Sequence, residues 1–360
     1  MNPPAPQLAP TPQLAPTPQI APTPQLEANP QLAAHGHGAV AEWRRSPERG
    51  SQAMLRVMAW LSMRLGRRGG RLFLYLIGVY FFLFAPKARR TMRDYLRRAL
   101  GREPDAADRF RNIMAFATTI HDRVYLLAER FELFDVSVQG GPLMRQLIDR
   151  GEGAILMGAH MGSFEMLRWI GEKHAGPGLV MTMYEDNAVK MNAVLAALAP
   201  RHPPEIIALG RIDAMLRIRA RLEERAMVGM LADRSLADES VLPVSFLGAT
   251  AYFPTGPMRA AAMLGRRVVF MLGLYRGGNR YHVVFEPLAD FSTTPQGQRQ
   301  AAIEAAITRY AALLEQYCRS DPYNWFNFFD FWRSPAAVEA RAVPRPLRPT
   351  ERPQPQPPRG

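Results

Sequence analysis

Apolar positions recur at two alternating periods along the middle of the chain. Between Pro104 and Phe134, residues Phe110, Ile113, Met114, Phe116, Ala117, Ile120, Val124 and Leu127 return at steps of three and four, the spacing of a helix with one buried face. Similar reasoning predicts helices over Pro142–Arg150, Phe164–Glu172, Lys190–Leu198, Ala214–Arg225, Thr255–Leu264 and Gln298–Arg319. Short apolar runs between them read as strands: Val136–Val138, Ala154–Met157, Gly178–Met183, Met227–Leu231, Val241–Phe246, Arg267–Leu274 and Tyr281–Phe285, with a further short segment at Glu205–Ala208. Strands alternating with helices predict an α/β fold with a central, mostly parallel or mixed sheet flanked by helices.

One segment breaks this pattern. Leu72–Ala85 is uncharged, apolar and aromatic, with Arg64, Arg67, Arg68 and Arg71 before it and Lys87, Arg89, Arg90 and Arg93 after it. It is shorter than the ~20 residues of a spanning helix, and positive charge on both sides argues against a simple crossing. A span, a re-entrant or interfacial helix and a buried core helix stay open.

Charge sharpens the picture. Between Arg44 and Arg102 there are 15 Lys or Arg against Glu48 and Asp94, the whole of the net +13. Such a cluster suits nucleic acid or an anionic membrane. The aromatic helix inside it points to membrane lipids and away from nucleic acid. Residues 6–32 repeat Pro-Gln-Leu-Ala-Pro-Thr, and Pro344–Gly360 is dense in Pro and Arg, so neither end can build a core. The expected organisation is a disordered tail at 1–50, a basic membrane-associating segment at 51–100, the catalytic domain at 101–335 and a second disordered tail at 336–360. The first hydrophobic run lies far from Met1 and lacks a small-residue cleavage site, so the catalytic part is expected to stay cytoplasmic. Cys318 is the only cysteine, which excludes a disulfide framework and a cysteine metal site; it sits in a helical pattern with no histidine nearby in sequence, a poor setting for a nucleophile.

The chemistry concentrates at Gly153-Ala-Ile-Leu-Met-Gly158-Ala-His160-Met-Gly162-Ser163-Phe-Glu165, where an apolar strand ends in a small-residue turn. Five positions along one helix would separate His160 and Glu165 by about 140°. Across a strand-to-helix turn, with Gly158 and Gly162 freeing the backbone and Ser163 capping the next helix, the two can meet. A carboxylate on one ring nitrogen would leave the other free to take a proton; a histidine paired only for structural reasons is the plainer alternative. His121 and Asp122 are adjacent on a helix and face different ways, so they are expected to be solvated or capping. No P-loop, dinucleotide fingerprint, G-x-S-x-G elbow or H-E-x-x-H motif occurs, and His160 with Glu165 offers too few ligands for zinc.

Four blocks carry a resemblance to the lysophospholipid acyltransferase superfamily, in the branch of the late (lauroyl/myristoyl) acyltransferases of bacterial lipid A biosynthesis. They are His160-Met-Gly-Ser-Phe-Glu165, which matches H-x4-[DE]; Leu231-Ala-Asp233-Arg; Val244-Ser-Phe246-Leu-Gly248 followed by Pro254-Thr255-Gly256-Pro; and Val268-Val-Phe270, ending near Arg276. The resemblance covers about Leu55 to Arg333. It implies a glycerolipid acyltransferase-like domain held at the cytoplasmic face of the inner membrane, with acyl carrier protein or coenzyme A thioesters as donor, a lipid acceptor, and no metal or cofactor. By that likeness His160 is the general base, Glu165 orients it, backbone amides after Ser163 or the guanidinium of Arg168 serve the oxyanion, and Ser163, Asp233, Phe246, Gly248, Thr255, Gly256 and Arg276 line the substrate groove. Two departures stand out: Tyr184-Glu185-Asp186-Asn187 replaces an arginine-containing turn, and the aromatic run Tyr323–Trp332 replaces a basic ending. Such composition suits an apolar or aromatic precursor, similar to the acyltransferases of aryl-polyene or xanthomonadin-type pigment clusters. The alternatives are a lipid A acyltransferase proper, acting on a Kdo-lipid IVA-type acceptor, and a non-catalytic membrane adaptor.

Overall fold

Strand and helix periods translate directly into layers. The computed structural model describes residues 52–167, 178–184, 192, 204–210, 213–235 and 239–333. Most of the helices expected at Phe164–Glu172 and Lys190–Leu198, the residues 185–187, and both tails lie outside the described residues.

Three helices come first. Helix α1 (Gln52–Phe84) is interrupted at Gly66, whose φ of 67° is left-handed. Helix α2 (Pro86–Leu100) opens on a proline, which lacks the N–H that would be orphaned there, and stops at Gly101 in the left-handed region. Helix α3 (Ala106–Leu127) starts at a reciprocal Asp105–Asp108 capping box. Then follow β1 (Asp135–Gln139), α4 (Gly141–Asp149), β2 (Ile155–Gly158), β3 (Leu179–Tyr184), β4 (Glu205–Leu209), α5 (Ala214–Glu223) and β5 (Met227–Leu231). The remainder is β6 (Val241–Phe246), β7 (Ala249–Pro254), α6 (Gly256–Leu264), β8 (Arg267–Tyr275), β9 (Arg280–Asp290) and α7 (Arg299–Ser320).

Seven strands form one sheet in the order β1-β9-β8-β2-β5-β3-β4. All its pairings are parallel except β8 with β9. The mixed α/β sheet expected from the periodicity is present. In β8, Val268, Phe270 and Leu272 join one hydrophobic cluster while Val269 and Met271 join the other. A strand covered on both faces has no polar side, which is why β2, β5 and β8 read as unbroken apolar runs. Ile303, Ile307, Tyr310 and Leu314 of α7 cover one face; Met144 and Leu147 of α4, with Tyr125 and Leu126 of α3, cover the other.

Two sequence expectations are corrected here. Strand β7, where the sequence pattern predicts no strand, pairs antiparallel with β6 as a separate hairpin; Tyr252 and Phe253 alternate as a half-buried strand should. His121 and Asp122 are both buried rather than solvated. Asp122 takes two hydrogen bonds of 2.7 Å from Arg67 of α1 and one of 2.8 Å from the Tyr281 hydroxyl, so a charge on a core-facing helix position is matched by a guanidinium brought from 55 residues away.

The aromatic segment lies in α1 with two unlike faces. Leu74 is buried and Gly78 sits against Phe110 and Met114 of α3, while Leu72, Leu76, Tyr80 and Phe84 point outward, Leu72 with 71% of its surface accessible. No single helix among the described residues is long and apolar enough to cross a membrane; Ser62–Phe84 together with Pro86–Leu100, bent by 93°, is. Helix α2 buries Met92, Tyr95 and Leu96 in the main cluster, each side chain contributing about 1.5–3 kcal/mol.

Candidate active site

Adjacent parallel strands β2 and β5 end side by side, with Gly158 opposite Leu231. Beyond their carboxyl ends, where open α/β sheets place their ligands, stand His160 and Asp233. The turn carrying His160 is tied at each step: Gly162 N–H donates to Asn324 O at 2.9 Å, Ser163 N–H to Gly273 O at 2.7 Å, and Phe326 N–H to His160 O at 2.9 Å. Gly162 adopts φ 67°, and a Cβ there would run into the Gly273 carbonyl, so only glycine fits.

The His160 ring is bonded to Asp233 and not to Glu165. Nδ1 lies 2.8 Å from Asp233 Oδ1, and the His160 backbone N–H donates to Oδ2 at 3.0 Å. Trp325 Nε1–H donates to the same Oδ2 at 3.0 Å. Because an ionised carboxylate only accepts, Nδ1 carries the proton and Nε2 keeps its lone pair. Burial opposes ionisation of Asp233, but the His160 ring and the Arg234 guanidinium outweigh it and hold the carboxyl at about 2. Burial and the nearby charge of Arg234 push His160 below its ordinary value, against the pull of Asp233; Arg123 adds to the downward push. The ring is neutral at pH 7, and 31% of its side chain is accessible.

Glu165 has another partner, which corrects the expectation that it orients His160. Its Oε1 meets Arg123 Nε of α3 at 2.7 Å, and its Oε2 accepts from the Ser163 hydroxyl at 3.1 Å. Ser163 is thereby occupied with Glu165 rather than capping a helix. The physical reason is the turn: Met166 and Leu167 are buried in the cluster on the α3 side of the sheet, which carries Glu165 towards α3 and away from the strand ends.

The other expected residues fall in three places. Phe246 is fully buried and packs on Phe253, Trp325 and Phe331, with its carbonyl accepting from Trp332 Nε1 at 3.1 Å; it backs the wall behind Asp233. Gly248, with φ 78°, closes the β6–β7 hairpin, Thr255 bonds Ser240 O at 3.1 Å before α6, and Gly256 opens that helix. Arg276 forms an ion pair of 2.6 Å with Asp321. Arg168 lies outside the described residues. Trp325, Phe326 and Phe331 are at most 7% accessible and belong to the core, whereas Tyr323, Phe328, Phe329 and Trp332 are half-buried. Cys318 is buried and its thiol is pushed up by that burial, far from nucleophilic. No cluster of metal-ligating side chains occurs among the described residues.

Sequence reasoning missed Arg123, Arg234 and Trp325. Arg234 Nη2 donates to Phe326 O at 3.0 Å, and its adjacency to Asp233 was the one signal available. Trp325 is separated from Asp233 by 92 residues, and Arg123 reads as an ordinary surface position of a helix.

None of the curated proteins searched matches the chain. The family profile for bacterial lipid A biosynthesis acyltransferases matches residues 45–334, a span that includes α1, the whole described sheet, His160 and Asp233, and the chain therefore belongs to that acyltransferase family.

Proposed function

We propose that this protein is a membrane-associated acyltransferase that moves a fatty acyl group from an acyl carrier protein or coenzyme A thioester to a hydroxyl of a lipid acceptor, with His160 as general base and Asp233 as its orienting carboxylate. The observation that carries this is the 2.8 Å bond from His160 Nδ1 to Asp233, beside an accessible ring edge at the strand ends. The acceptor oxygen attacks the thioester carbonyl carbon while its proton passes to His160 Nε2, and the carbonyl π pair moves onto oxygen. Asp233 stabilises the imidazolium without taking the proton, as a triad carboxylate does. Collapse of the tetrahedral species breaks the C–S bond, and the departing sulfur takes the proton back from His160.

The outward face of α1 supports docking on an anionic bilayer at the cytoplasmic face of the inner membrane. Leu72, Leu76, Tyr80 and Phe84 would enter the acyl chains, and the exposed Arg64, Arg68 and Arg90 would meet lipid phosphates, each adding about 1 kcal/mol. The family match favours a second reading for the acceptor, a phosphorylated sugar lipid of the lipid A type.

Mass spectrometry of lipid extracts from cells with and without the protein, and with His160→Ala, tests the assignment. An acylated lipid present only with the active chain is expected. The same lipid at unchanged abundance with His160→Ala would refute the catalytic role.

A further inference from the structure

After α7 the chain turns at Asp321-Pro322 and runs on as a largely buried strap through Tyr323, Asn324, Trp325 and Phe326, with only a short 3-10 turn at Pro322–Asn324. A buried irregular segment cannot bond its own backbone as a helix or sheet does, so other groups must supply the partners. Five successive carbonyls find them in four places. Pro322 O accepts from the Tyr95 hydroxyl of α2 at 2.7 Å. Tyr323 O and Trp325 O share the Asn112 amide of α3, at 3.0 and 3.3 Å. Asn324 O takes the Gly162 N–H of the His160 turn at 2.9 Å, and Phe326 O takes Arg234 Nη2 at 3.0 Å. Asn112 is buried, and because carbonyls only accept, the two of them hold its NH2 group towards the strap. The buried Asn324 side chain does what a neighbouring strand would do: it accepts the Tyr275 N–H at 2.7 Å and donates to the Tyr275 carbonyl at 3.1 Å, at the last residue of β8. A carboxamide offers that donor and acceptor side by side. From the strap, both members of the catalytic pair are reached within two residues. The Trp325 indole donates to Asp233 at 3.0 Å and the Phe326 N–H to the His160 carbonyl at 2.9 Å, so the 2.8 Å between His160 Nδ1 and Asp233 is set from one common reference.

We propose that Asn324 and Asn112 are positioning residues for the transfer reaction: they fix residues 323–326 so that Trp325 and Phe326 hold Asp233 and His160 at bonding distance. The proposal rests on the acyl-transfer reading above. Each asparagine acts through the strap, and neither exchanges a proton in the step. Displacing a catalytic group by about 1 Å can lower turnover on the order of 100-fold even when the change lies away from the chemistry. Amides buried for packing alone would tolerate leucine without loss of turnover in the folded protein.

The test uses the purified full chain with palmitoyl-CoA or palmitoyl-acyl carrier protein and membrane lipid extract, reading thiol release. Asn324→Leu and Asn112→Leu are each expected to lower kcat by about 10- to 100-fold with little change in KM. Asp233 pulls His160 upward, so loosening the pair should move the acid limb of kcat/KM to lower pH, a shift that lost stability alone would not produce. Asn324→Asp keeps the acceptor for the Tyr275 N–H but sets an oxygen against the Tyr275 carbonyl, and should fall as far as Asn324→Leu. Trp325→Phe removes the link from the strap to Asp233, so adding Asn324→Leu to it should lower kcat by less than the product of the two single losses. Wild-type kcat in a folded Leu variant, a loss confined to KM, an unmoved acid limb or losses that multiply in full would each overturn the proposal while leaving the His160–Asp233 assignment intact. If the variants lose their cooperative thermal transition, hydrogen exchange on the wild type decides. The Gly162, Tyr275 and Phe326 amides are expected to be as protected as those of β2, and loop-like exchange at any of them overturns the proposal. A wild-type chain that releases no thiol from either donor overturns the transfer reading and this one together.

Discussion

Replacing Asp233 with Asn separates the two jobs of that side chain. In the native site, Oδ2 accepts from both the His160 backbone N–H and the Trp325 indole, while Oδ1 alone faces His160 Nδ1. Asparagine has one oxygen with two lone pairs, so it will place that oxygen where two donors already point and turn its NH2 towards Nδ1. Nδ1 must then accept, the ring proton moves to Nε2, and the base that should take a proton already carries one. The wrong tautomer costs a catalytic triad about 10,000-fold in kcat, and a loss of roughly 1,000- to 10,000-fold is expected here. Raising the pH will not restore activity, because His160 is already neutral at pH 7.

Stability should change less, and in a pH-dependent way. The Asp233 carboxyl is held at about 2 against about 4 in an unfolded chain, so its ionisation stabilises the fold above about pH 4 by on the order of 2–3 kcal/mol. That contribution disappears as pH falls through 2. The gap in thermal midpoint between wild type and Asp233→Asn should therefore be widest near neutrality and close towards pH 2. Asp233→Ala, which orphans the His160 backbone N–H, His160 Nδ1–H and the Trp325 indole, should cost roughly 3–9 kcal/mol. Thiol release under saturating donor, thermal melts from pH 2 to 7 and nitrogen-15 imidazole shifts provide the readouts. An Asp233→Asn protein within tenfold of wild-type kcat, or one whose Nε2 stays unprotonated, would refute the reasoning.

Two further outcomes are expected. Gly162→Ala should lower the thermal midpoint and abolish turnover together, since a Cβ there meets the Gly273 carbonyl and the residue must hold a left-handed φ; circular dichroism melts and thiol release check it, and a fully active Ala variant would show that the turn can relax. Replacing the exposed Leu76, Tyr80 and Phe84 with Ser should release the protein from phosphatidylglycerol vesicles in flotation, with about 1.5–3 kcal/mol of burial lost per side chain, whereas 1 M salt should leave wild type bound; Leu74, being buried, would test folding instead.

How much was legible in the chain follows from the range of the interactions involved. Strands β2, β5 and β8 announced themselves because two-sided burial removes every polar position from a short run, and α3 and α7 because one buried face imposes a three-to-four spacing; these are local consequences of covering apolar surface. His160 was legible for the same reason, at a glycine-bracketed turn ending a strand. Its partner was not. Glu165 is five residues away and Asp233 is 73, and proximity in sequence favoured the wrong carboxylate, because the choice depends on which way the chain leaves the turn and on which strand lies beside β2. The pairing of β2 with β5 decides the second point, and the burial of Met166 and Leu167 against α3 decides the first. Likewise the aromatic ending read as suited to an apolar precursor, with no sign that packing would enclose Trp325 and Phe331, and the charge of Asp122 read as solvated until Arg67 met it. Sequence alone singled out His160 and the runs that must be buried as strands and helix faces. Only the tertiary structure decided which charges neutralise each other, because a partner for a buried charge is selected by distance in space and the chain has no local means of recording it.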